Sequence, residues 1–341
     1  MKKVKGDLVW GWPGVFCHGG LWLGGALACL VFLNLGWEKR FPPRPATPVQ
    51  TFEQPSGELV QLSDRAYQRI GSKGDILFCE YGFFNFNSDF LKINYQMPRQ
   101  ALAEYCAEYG YADDELRRLE LERRRSCEGA TAFVRSRSLS QRHLNDLIEN
   151  LDRQHKLNLK VYMAGRGFKI LKKNVVQVDM PDLVQRNIPR LQKLAQAFER
   201  IARQGRYDSA ATIGAAASFV QIALRYQVPP TVRNGRNTGG IMPPLEALLK
   251  GWGDCDTKTA LLASILGNWE LVRMVGIVLP HHYLMAVRRS PGRGDMYIRY
   301  QGVDYVLIDP AGPAWLPPGQ VGAGSVDSLQ SGVDYAIEPF F

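Results

Sequence analysis

The sequence has few of the residues from which metal sites are usually built. It contains six cysteines and five histidines in 341 residues, and no two cysteines stand in a Cys-x-x-Cys pair. His281 and His282 are adjacent, so they lack the spacing at which two zinc ligands share one face of a helix. We therefore predict no structural metal ion and no metal cofactor.

A phosphate-binding loop is also missing, and nothing indicates nucleic-acid binding. The glycine-rich segment 235–240 (GRNTGG) lacks the lysine and the strand-to-helix context of a nucleotide loop. The basic run 117–125 is interleaved with glutamates and holds no aromatic residue for stacking, which favours a solvated helix face. The net charge of +9 fits a solubilising surface, with a membrane surface or an anionic envelope polymer as the alternative.

An apolar run without charges lies near the start of the chain. Residues 19–37 (GGLWLGGALACLVFLNLGW) have the length that a helix needs to cross a bilayer, about 20 residues. Trp22 and Trp37 are suited to the two membrane interfaces. We predict a single uncleaved membrane anchor here, after a short segment 1–18; a cleaved signal or a buried helix is the alternative.

The orientation of this anchor is weakly determined by charge. Lysines precede the run and basic residues follow it, so the positive-inside bias nearly cancels. The short leading segment and the large following body favour a body on the periplasmic or extracytoplasmic side. The proline-rich segment 38–57 is predicted to be a semi-extended linker that holds this body off the membrane.

The remaining length suggests two soluble units. We place an α+β region of unknown function at 58–205, a second domain at 206–320 and a C-terminal tail at 321–341. In the first unit we expect helices over 100–109, 113–125, 139–155 and 181–203, and strands over 75–95 and 157–162.

Three cysteines lie in the first of these units, namely Cys79, Cys106 and Cys127. Cys106 and Cys127 flank a pair of predicted helices and can form a disulfide if the body is in an oxidising compartment. Free buried thiols are the alternative, because spacing alone does not give the distance between two sulfurs.

Cys255 stands at the start of a predicted buried helix. It follows a Gly-Trp-Gly-Asp turn, and apolar residues recur at helical spacing up to residue 266. Asp254 is a good N-cap by residue type. The positive end of a helix stabilises a thiolate, so a reactive thiol is predicted at Cys255. The alternative is a buried structural cysteine.

Two later strands each bring a residue that can activate a thiol. A β-branched run at 271–279 precedes the adjacent histidines 281 and 282, which open the next strand candidate. Asp309 ends a third strand candidate at 305–308. A cysteine on a helix, a histidine on a strand and an aspartate at a strand end supply a nucleophile, a base and a group that orients the base.

In these features the chain resembles the transglutaminase-like branch of the papain-fold cysteine peptidases. The resemblance rests on Gly-Asp-Cys-Asp at 253–256 followed by Lys258, on a His-x-x-x-Ala-Val strand and on a Tyr-Val-Leu-Ile-Asp-Pro strand end. It covers roughly the last third of the chain. It implies an α+β fold in which the helix of the nucleophile packs on a mostly antiparallel sheet that includes 271–308.

The resemblance also implies roles for single residues: Cys255 as nucleophile, His282 as general base and Asp309 as the group that orients the imidazole. His281 is the rival base, and only one of the two histidines can face the sulfur, since neighbouring strand residues face opposite ways. Gln221 and Trp252 are weaker candidates for oxyanion support or a cleft wall, and plain core positions are favoured for both.

The implied chemistry is acyl transfer on a peptide or protein amide, with no cofactor. Water as the second substrate gives hydrolysis and an amine gives crosslinking, and the same three residues serve both. We expect a membrane-anchored peptidase or amidase. The alternative of a different class is a membrane-tethered binding or assembly module that keeps this fold without turnover.

Overall fold

The computed structural model of the chain describes residues 7–8, 57–312, 315–331 and 335–340. The predicted anchor at 19–37 and nearly all of the linker at 38–57 lie outside this part of the chain. Among the described residues, no helix combines the length and the apolar character that a bilayer span requires.

The N-terminal part of the body is built on an antiparallel sheet of four consecutive strands. Cys79, Tyr81 and Phe83 of its third strand belong to the main core, and the alternating pattern over 75–95 correctly predicted paired strands. The strands are β2 (Leu59–Ser63), β3 (Ala66–Lys73), β4 (Ile76–Phe84) and β5 (Phe90–Pro98).

Three helices follow this sheet: α1 (Arg99–Glu108), α2 (Asp113–Ser136) and α3 (Gln141–Gly165). Helices α2 and α3 pack on each other, and Arg123 Nη1 of α2 lies 2.9 Å from Asp152 Oδ1 of α3. Arginines of the basic run pair with acids one turn away in α2, for example Arg118 with Glu115 at 2.8 Å. The run is thus a solvated helix face.

The strand predicted at 157–162 is wrong, because helix α3 continues to Gly165. Leu157 and Val161 belong to the alternating pattern that suggested a strand, yet they are 54% and 64% exposed. The residue that α3 buries is Met163, which with the half-buried Leu159 and Tyr162 follows the three-to-four-residue spacing of a helix.

The long helix predicted at 181–203 is also interrupted. The chain forms α4 (Met180–Asn187), a 3-10 turn (Pro189–Leu191) and α5 (Gln192–Gly205). Pro189 has no N–H with which to continue the helical hydrogen bonds, so the helix ends before it.

The central helices are α6 (Ser209–Ile222), α7 (Pro244–Lys250) and α8 (Cys255–Leu266). Helix α8 is buried on all sides, since α4, α6, α7 and a strand of the second sheet cover it. Short strand pairs connect these elements. They are β6 (Phe168–Ile170) with β7 (Val176–Val178), β9 (Val232–Arg233) with β10 (Arg236–Asn237), and β8 (Arg225–Tyr226) with β11 (Trp252–Gly253).

The second sheet has six described strands: β1 (Asp7–Leu8), β12 (Met274–Leu279), β13 (His282–Arg288), β14 (Tyr297–Tyr300), β15 (Val303–Ile308) and β16 (Ala336–Pro339). It is antiparallel throughout, with the strand order β1-β14-β15-β13-β12-β16. The tail contributes α9 (Ala323–Gln330) and β16, which pairs with β12 at one edge. The strand predicted from 271 begins at Met274.

The described residues form an α+β fold within one compact unit. One cluster of buried apolar side chains runs from Leu62 in the first sheet through α8 to Phe340 in the tail. Side chains from both sides of the predicted boundary at residue 205 therefore share this core. A smaller cluster, which includes Val275 and Leu329, lies on the other face of the second sheet under α9.

Candidate active site

Cys255 is the first residue of helix α8. Its side chain is only 6% exposed. Asp254 caps the helix, because its Oδ1 accepts a hydrogen bond from the N–H of Thr257 at 3.0 Å. The parallel pairing of β11 with β8 sets Gly253 opposite Tyr226 and so fixes the path of the chain into the helix. The thiol therefore lies at the positive end of a fixed helix.

His282 and Asp309 come together because of the register of the second sheet. Strands β13 and β15 are antiparallel, with Met285 opposite Ile308, so the start of β13 lies beside the end of β15. His282 Nε2 is 3.1 Å from Asp309 Oδ1 and 3.2 Å from Oδ2. The imidazole is thus held by a carboxylate through one of its two ring nitrogens.

Helix α8 packs on β13, which places His282 close enough to Cys255 for the thiol to affect the pKa of the imidazole. Burial alone would lower the pKa of His282, but hydrogen bonds to Asp309 and Cys255 and the charges of both outweigh burial. The pKa is raised to about 10. Since Nε2 faces Asp309, Nδ1 is the ring nitrogen that remains for the sulfur. The structure thus brings all three predicted site residues together.

Asp309 is buried and held by the backbone. Its Oδ1 accepts from the N–H of Ala311 at 3.2 Å, and its Oδ2 accepts from the N–H of Gly322 at 3.4 Å. Burial would raise the pKa of Asp309, but the His282 hydrogen bond and charge and these two N–H groups lower it. The carboxylate is thus kept ionised beside the imidazole.

The two adjacent histidines have different positions. His281 is exposed, stands just before β13 and has a φ of +62°. His282 is the first residue of β13 and faces the site. The structure therefore places His282, and not the rival His281, beside Asp309.

Gln221 supports the loop after Asp309. Its Nε2 donates to the carbonyls of Asp309 at 2.7 Å and Leu316 at 2.8 Å, which uses both amide hydrogens. No hydrogen is left for an oxyanion. Trp252 is half-buried and packs against the main core, with Lys250 Nζ 5.9 Å from its ring centre.

A buried lysine lies beneath the same loop. Lys258 is on α8 and has no exposed surface, and its Nζ donates to the carbonyls of Ala311 at 2.6 Å and Gln221 at 3.2 Å. Burial lowers the pKa of Lys258 to about 7, although the charge of Asp309 opposes this shift. The sequence motif contained this lysine, but only the fold reveals that it holds the loop of Asp309.

Two further polar groups contact the sulfur, and the sequence had not indicated this. Asp256 Oδ2 lies 3.7 Å from Cys255 Sγ, and burial together with the charge of Asp254 raises the pKa of Asp256 to about 6. The hydroxyl of Tyr226 is near the thiol: burial raises the pKa of Tyr226, and the neighbouring Cys255 raises it further. Asp256 had a signal in the motif, whereas Tyr226 is distant in sequence and is brought close by the pairing of β8 with β11.

Asp254, Cys255 and Asp256 also offer one potential metal ligand each, with ligand atoms within 4.8 Å of one another. No other such group of three occurs among the described residues. The remaining described cysteines, Cys79, Cys106 and Cys127, are free thiols. The disulfide considered between Cys106 and Cys127 is therefore not formed.

The cap of helix α8 gives a direct test of how the thiol is supported. We expect Asp254→Ala to lower the free energy of unfolding by about 1 to 2 kcal/mol, since the N–H of Thr257 loses its partner, and to slow alkylation of Cys255. Asp208→Ala is the matched control, because Asp208 caps α6 in the same way through the N–H of Ala211. Asp208→Ala should lower the free energy of unfolding by a similar amount and leave the alkylation rate of Cys255 unchanged. Equal alkylation rates in both variants would contradict the role of Asp254 at the thiol.

Comparison of the chain with protein-family models, with curated proteins and with solved structures gave no match. The site is therefore defined by its own geometry: a cysteine at a helix N-terminus, a histidine whose imidazole reaches both the thiol and an aspartate, and a support layer of Gln221 and Lys258.

Proposed function

We propose that the protein is a cysteine peptidase or amidase that acts by acyl transfer on a peptide or protein amide. The observation that carries this proposal is the position of His282, which reaches the Cys255 thiol on one side and Asp309 on the other. A purely structural cysteine needs neither partner. A nucleophile needs a base that is itself oriented, and this is the arrangement of the three side chains.

In the proposed reaction the Cys255 thiolate attacks the amide carbon and forms a carbon–sulfur bond. The carbonyl electron pair moves to oxygen, and the negative charge there is stabilised by N–H groups of the first turn of α8, which have no partner within the helix. We assign this role to the N–H of Cys255. The electron pair then returns, the carbon–nitrogen bond breaks, and the His282 imidazolium gives its proton to the leaving amine.

The second half of the reaction uses the same residues in the opposite sense. The thioester on Cys255 is attacked by water, and neutral His282 accepts the proton of that water. The acid leaves and the thiol is restored. An amine in place of water would give a crosslinked product, and we favour hydrolysis. Asp309 keeps the imidazole in one orientation and stabilises its charged form during both halves.

The proposal extends to the fold family and to the membrane. The helix α8 packed on an antiparallel sheet, with the thiol, imidazole and carboxylate in the order Cys255, His282, Asp309, supports a papain-like, transglutaminase-like domain. The apolar run at 19–37 supports a single membrane anchor with the body on the extracytoplasmic side. The substrate would then be a peptide or protein of that compartment.

Alkylation with iodoacetamide tests the catalytic thiol without a known substrate. Using the full chain in mild detergent at pH 6, we expect Cys255 to react at least about tenfold faster than Cys106 and Cys127, although Cys255 is the more buried. An ordinary cysteine is only about 0.3% thiolate at this pH. Mass spectrometry of the proteolysed chain gives the three rates in one sample.

The two half-buried thiols are internal controls, because the chain around them undergoes the same treatment. Cys106 lies 3.7 Å from Glu246, and burial and this carboxylate raise its pKa to about 11. If Cys255 reacts as slowly as Cys106, the catalytic proposal is wrong. A non-catalytic binding module would then be the better account of this site.

A further inference from the structure

The carboxylate beside the sulfur also lines a cavity. Asp256 Oδ2 is 3.7 Å from Cys255 Sγ, and the same side chain forms part of the wall of a cavity of about 430 Å³. The other walls come from strands β6, β7 and β13, from the loop around Thr231 and from Glu338 of the tail. Cys255 itself does not line the cavity, but a group that contacts Asp256 there lies close to the nucleophile.

The electrostatic character of this cavity is negative. Its wall carries the two carboxylates Asp256 and Glu338, and none of the described residues that line it is basic. Glu338 is partly neutralised, because Lys169 Nζ and the Tyr283 hydroxyl each donate to it at 3.0 Å. Asp256 has no lysine or arginine partner among the residues that the structure describes, and the cationic group that acts on it is His282, which does not line the cavity. Carboxylates are therefore the only charged side chains among the described residues that line the cavity.

The rest of the wall suits an aliphatic stem. Tyr111, Phe168 and Tyr283 line the cavity together with apolar side chains such as Val178 and Ile241. Methylene groups pack well against such rings, and a cation near a ring face gains further attraction. The uncharged polar side chains of Gln177, Thr231 and Asn237 complete the wall, and none of its described residues is a lysine or arginine that would pair with an anion.

We propose that this cavity binds a positively charged side chain of the substrate, an ammonium or guanidinium group on a short aliphatic stem, with Asp256 as its counter-ion. This inference rests on the proposed function, because it gives the substrate class of the same site. The substrate is then a peptide or amide with a basic group near the carbonyl that Cys255 attacks. A carboxylate so close to a thiolate is unfavourable by itself. The charge of His282 offsets part of this repulsion, and a bound cation offsets more of it.

Three alkylating reagents that share one electrophile test this charge preference. They are N-(2-aminoethyl)chloroacetamide, which is cationic, N-(2-hydroxyethyl)chloroacetamide, which is neutral, and N-chloroacetylglycine, which is anionic. In each case the sulfur displaces chloride and forms a thioether, so only the tail differs. We would measure the rates at Cys255 of the full chain in EDTA, each divided by the rate of the same reagent with glutathione.

We expect the wild type to favour the cationic over the neutral reagent by about fivefold or more, which is the upper end of what one exposed ion pair contributes. Asp256→Asn should reduce this ratio to about one. The ratio cancels any uniform change in thiolate reactivity. Glu149→Gln is the matched control, because it removes an exposed carboxylate on α3 and should leave the ratio unchanged.

The outcomes separate this inference from the proposed function. If the neutral reagent reacts fast with Cys255 but the wild type shows a cationic-to-neutral rate ratio near one, the cationic pocket is overturned and the proposal of a catalytic thiol is retained. If the neutral reagent reacts slowly with Cys255, the proposal of a catalytic thiol is wrong, and the inference about the pocket fails with it. If Asp256→Asn does not fold, a protection experiment on the wild type tests the same inference. Butylammonium should slow alkylation of Cys255 by the neutral reagent, and butanol should not. Equal protection by both overturns the inference.

Discussion

Replacement of His282 by alanine is expected to slow alkylation of Cys255 at pH 6 by about 30- to 100-fold. In the wild type the imidazole is held by Asp309 and lies beside the thiol, and in the proposed mechanism it activates the sulfur. Without it the thiol behaves like an ordinary cysteine, of which about 0.3% is ionised at pH 6. The expected loss of rate is smaller than the change in the thiolate fraction alone would give, because thiolates of more acidic thiols are weaker nucleophiles.

The pH dependence of this effect follows from the pKa of His282, which is raised to about 10. The imidazolium persists through the neutral range, so the wild-type rate should change little between pH 6 and 9. The alanine variant should gain rate over the same range as its thiol ionises, and the two curves should approach each other near pH 9. Parallel curves at all pH values would contradict the ion pair.

The matched control for this experiment is the neighbouring histidine. His281 is exposed and has a left-handed backbone, which asparagine tolerates well, so His281→Asn removes an imidazole with little strain. We expect its alkylation profile to equal that of the wild type. A large loss in His281→Asn and none in His282→Ala would reverse the assignment of the base.

Replacement of Lys258 by methionine is expected to change how stability depends on pH. The folded pKa of Lys258 is lowered to about 7 by burial, from 10.5 in the unfolded chain. Below pH 7 Lys258 is protonated in both the folded and the unfolded chain, so it does not make the free energy of unfolding depend on pH. Between pH 7 and 10.5 the unfolded chain binds more protons, and the stability of the wild type relative to Lys258→Met rises with pH, by about 3 to 5 kcal/mol in total.

His282 acts in the opposite direction over nearly the same range. Its folded pKa of about 10 lies above the 6.5 of the unfolded chain, so the folded state binds more protons between these values. Its stabilising contribution is complete below pH 6.5 and is lost as pH rises through 10. The two slopes offset each other in the wild type, so Lys258→Met should reveal a decline of stability above neutral pH that the wild type hides.

Urea unfolding of both proteins at pH steps from 6 to 10 measures this difference. Lys160→Met is the control, since Lys160 is exposed on α3 and its loss should add no slope. If the difference between wild type and Lys258→Met is constant across these steps, Lys258 keeps an ordinary pKa in the folded protein. Its burial against Ala311 and Gln221 would then not perturb its protonation.

Secondary structure near the site was largely predictable, because several local signals agree there. Asp254, the glycines around it and the apolar spacing up to residue 266 together predicted α8. The middle of the chain was harder. Leu157 and Val161 gave a strand pattern in a segment that is helical, since the core uses only Met163 and its helical neighbours there. Periodicity over six residues does not separate the two structures when one face is exposed.

The supporting layer of the site had no signal of its own in the sequence. Gln221 and Lys258 are separated by 37 positions, and Lys258 and Ala311 by 53, yet their hydrogen bonds build the loop that carries Asp309. Tyr226 reaches the sulfur only because β8 pairs with β11. Such long-range contacts depend on strand register and helix packing, which no local spacing encodes.

The sequence by itself determined the identity of the candidate nucleophile, its helix and cap, and the aspartate at a strand end. These follow from short-range rules of capping, periodicity and thiol chemistry. Only the tertiary structure decided between His281 and His282, paired Lys258 with the Asp309 loop and opened a cavity beside Asp256. The physical reason is that charge and burial at a site are properties of surroundings that distant segments supply.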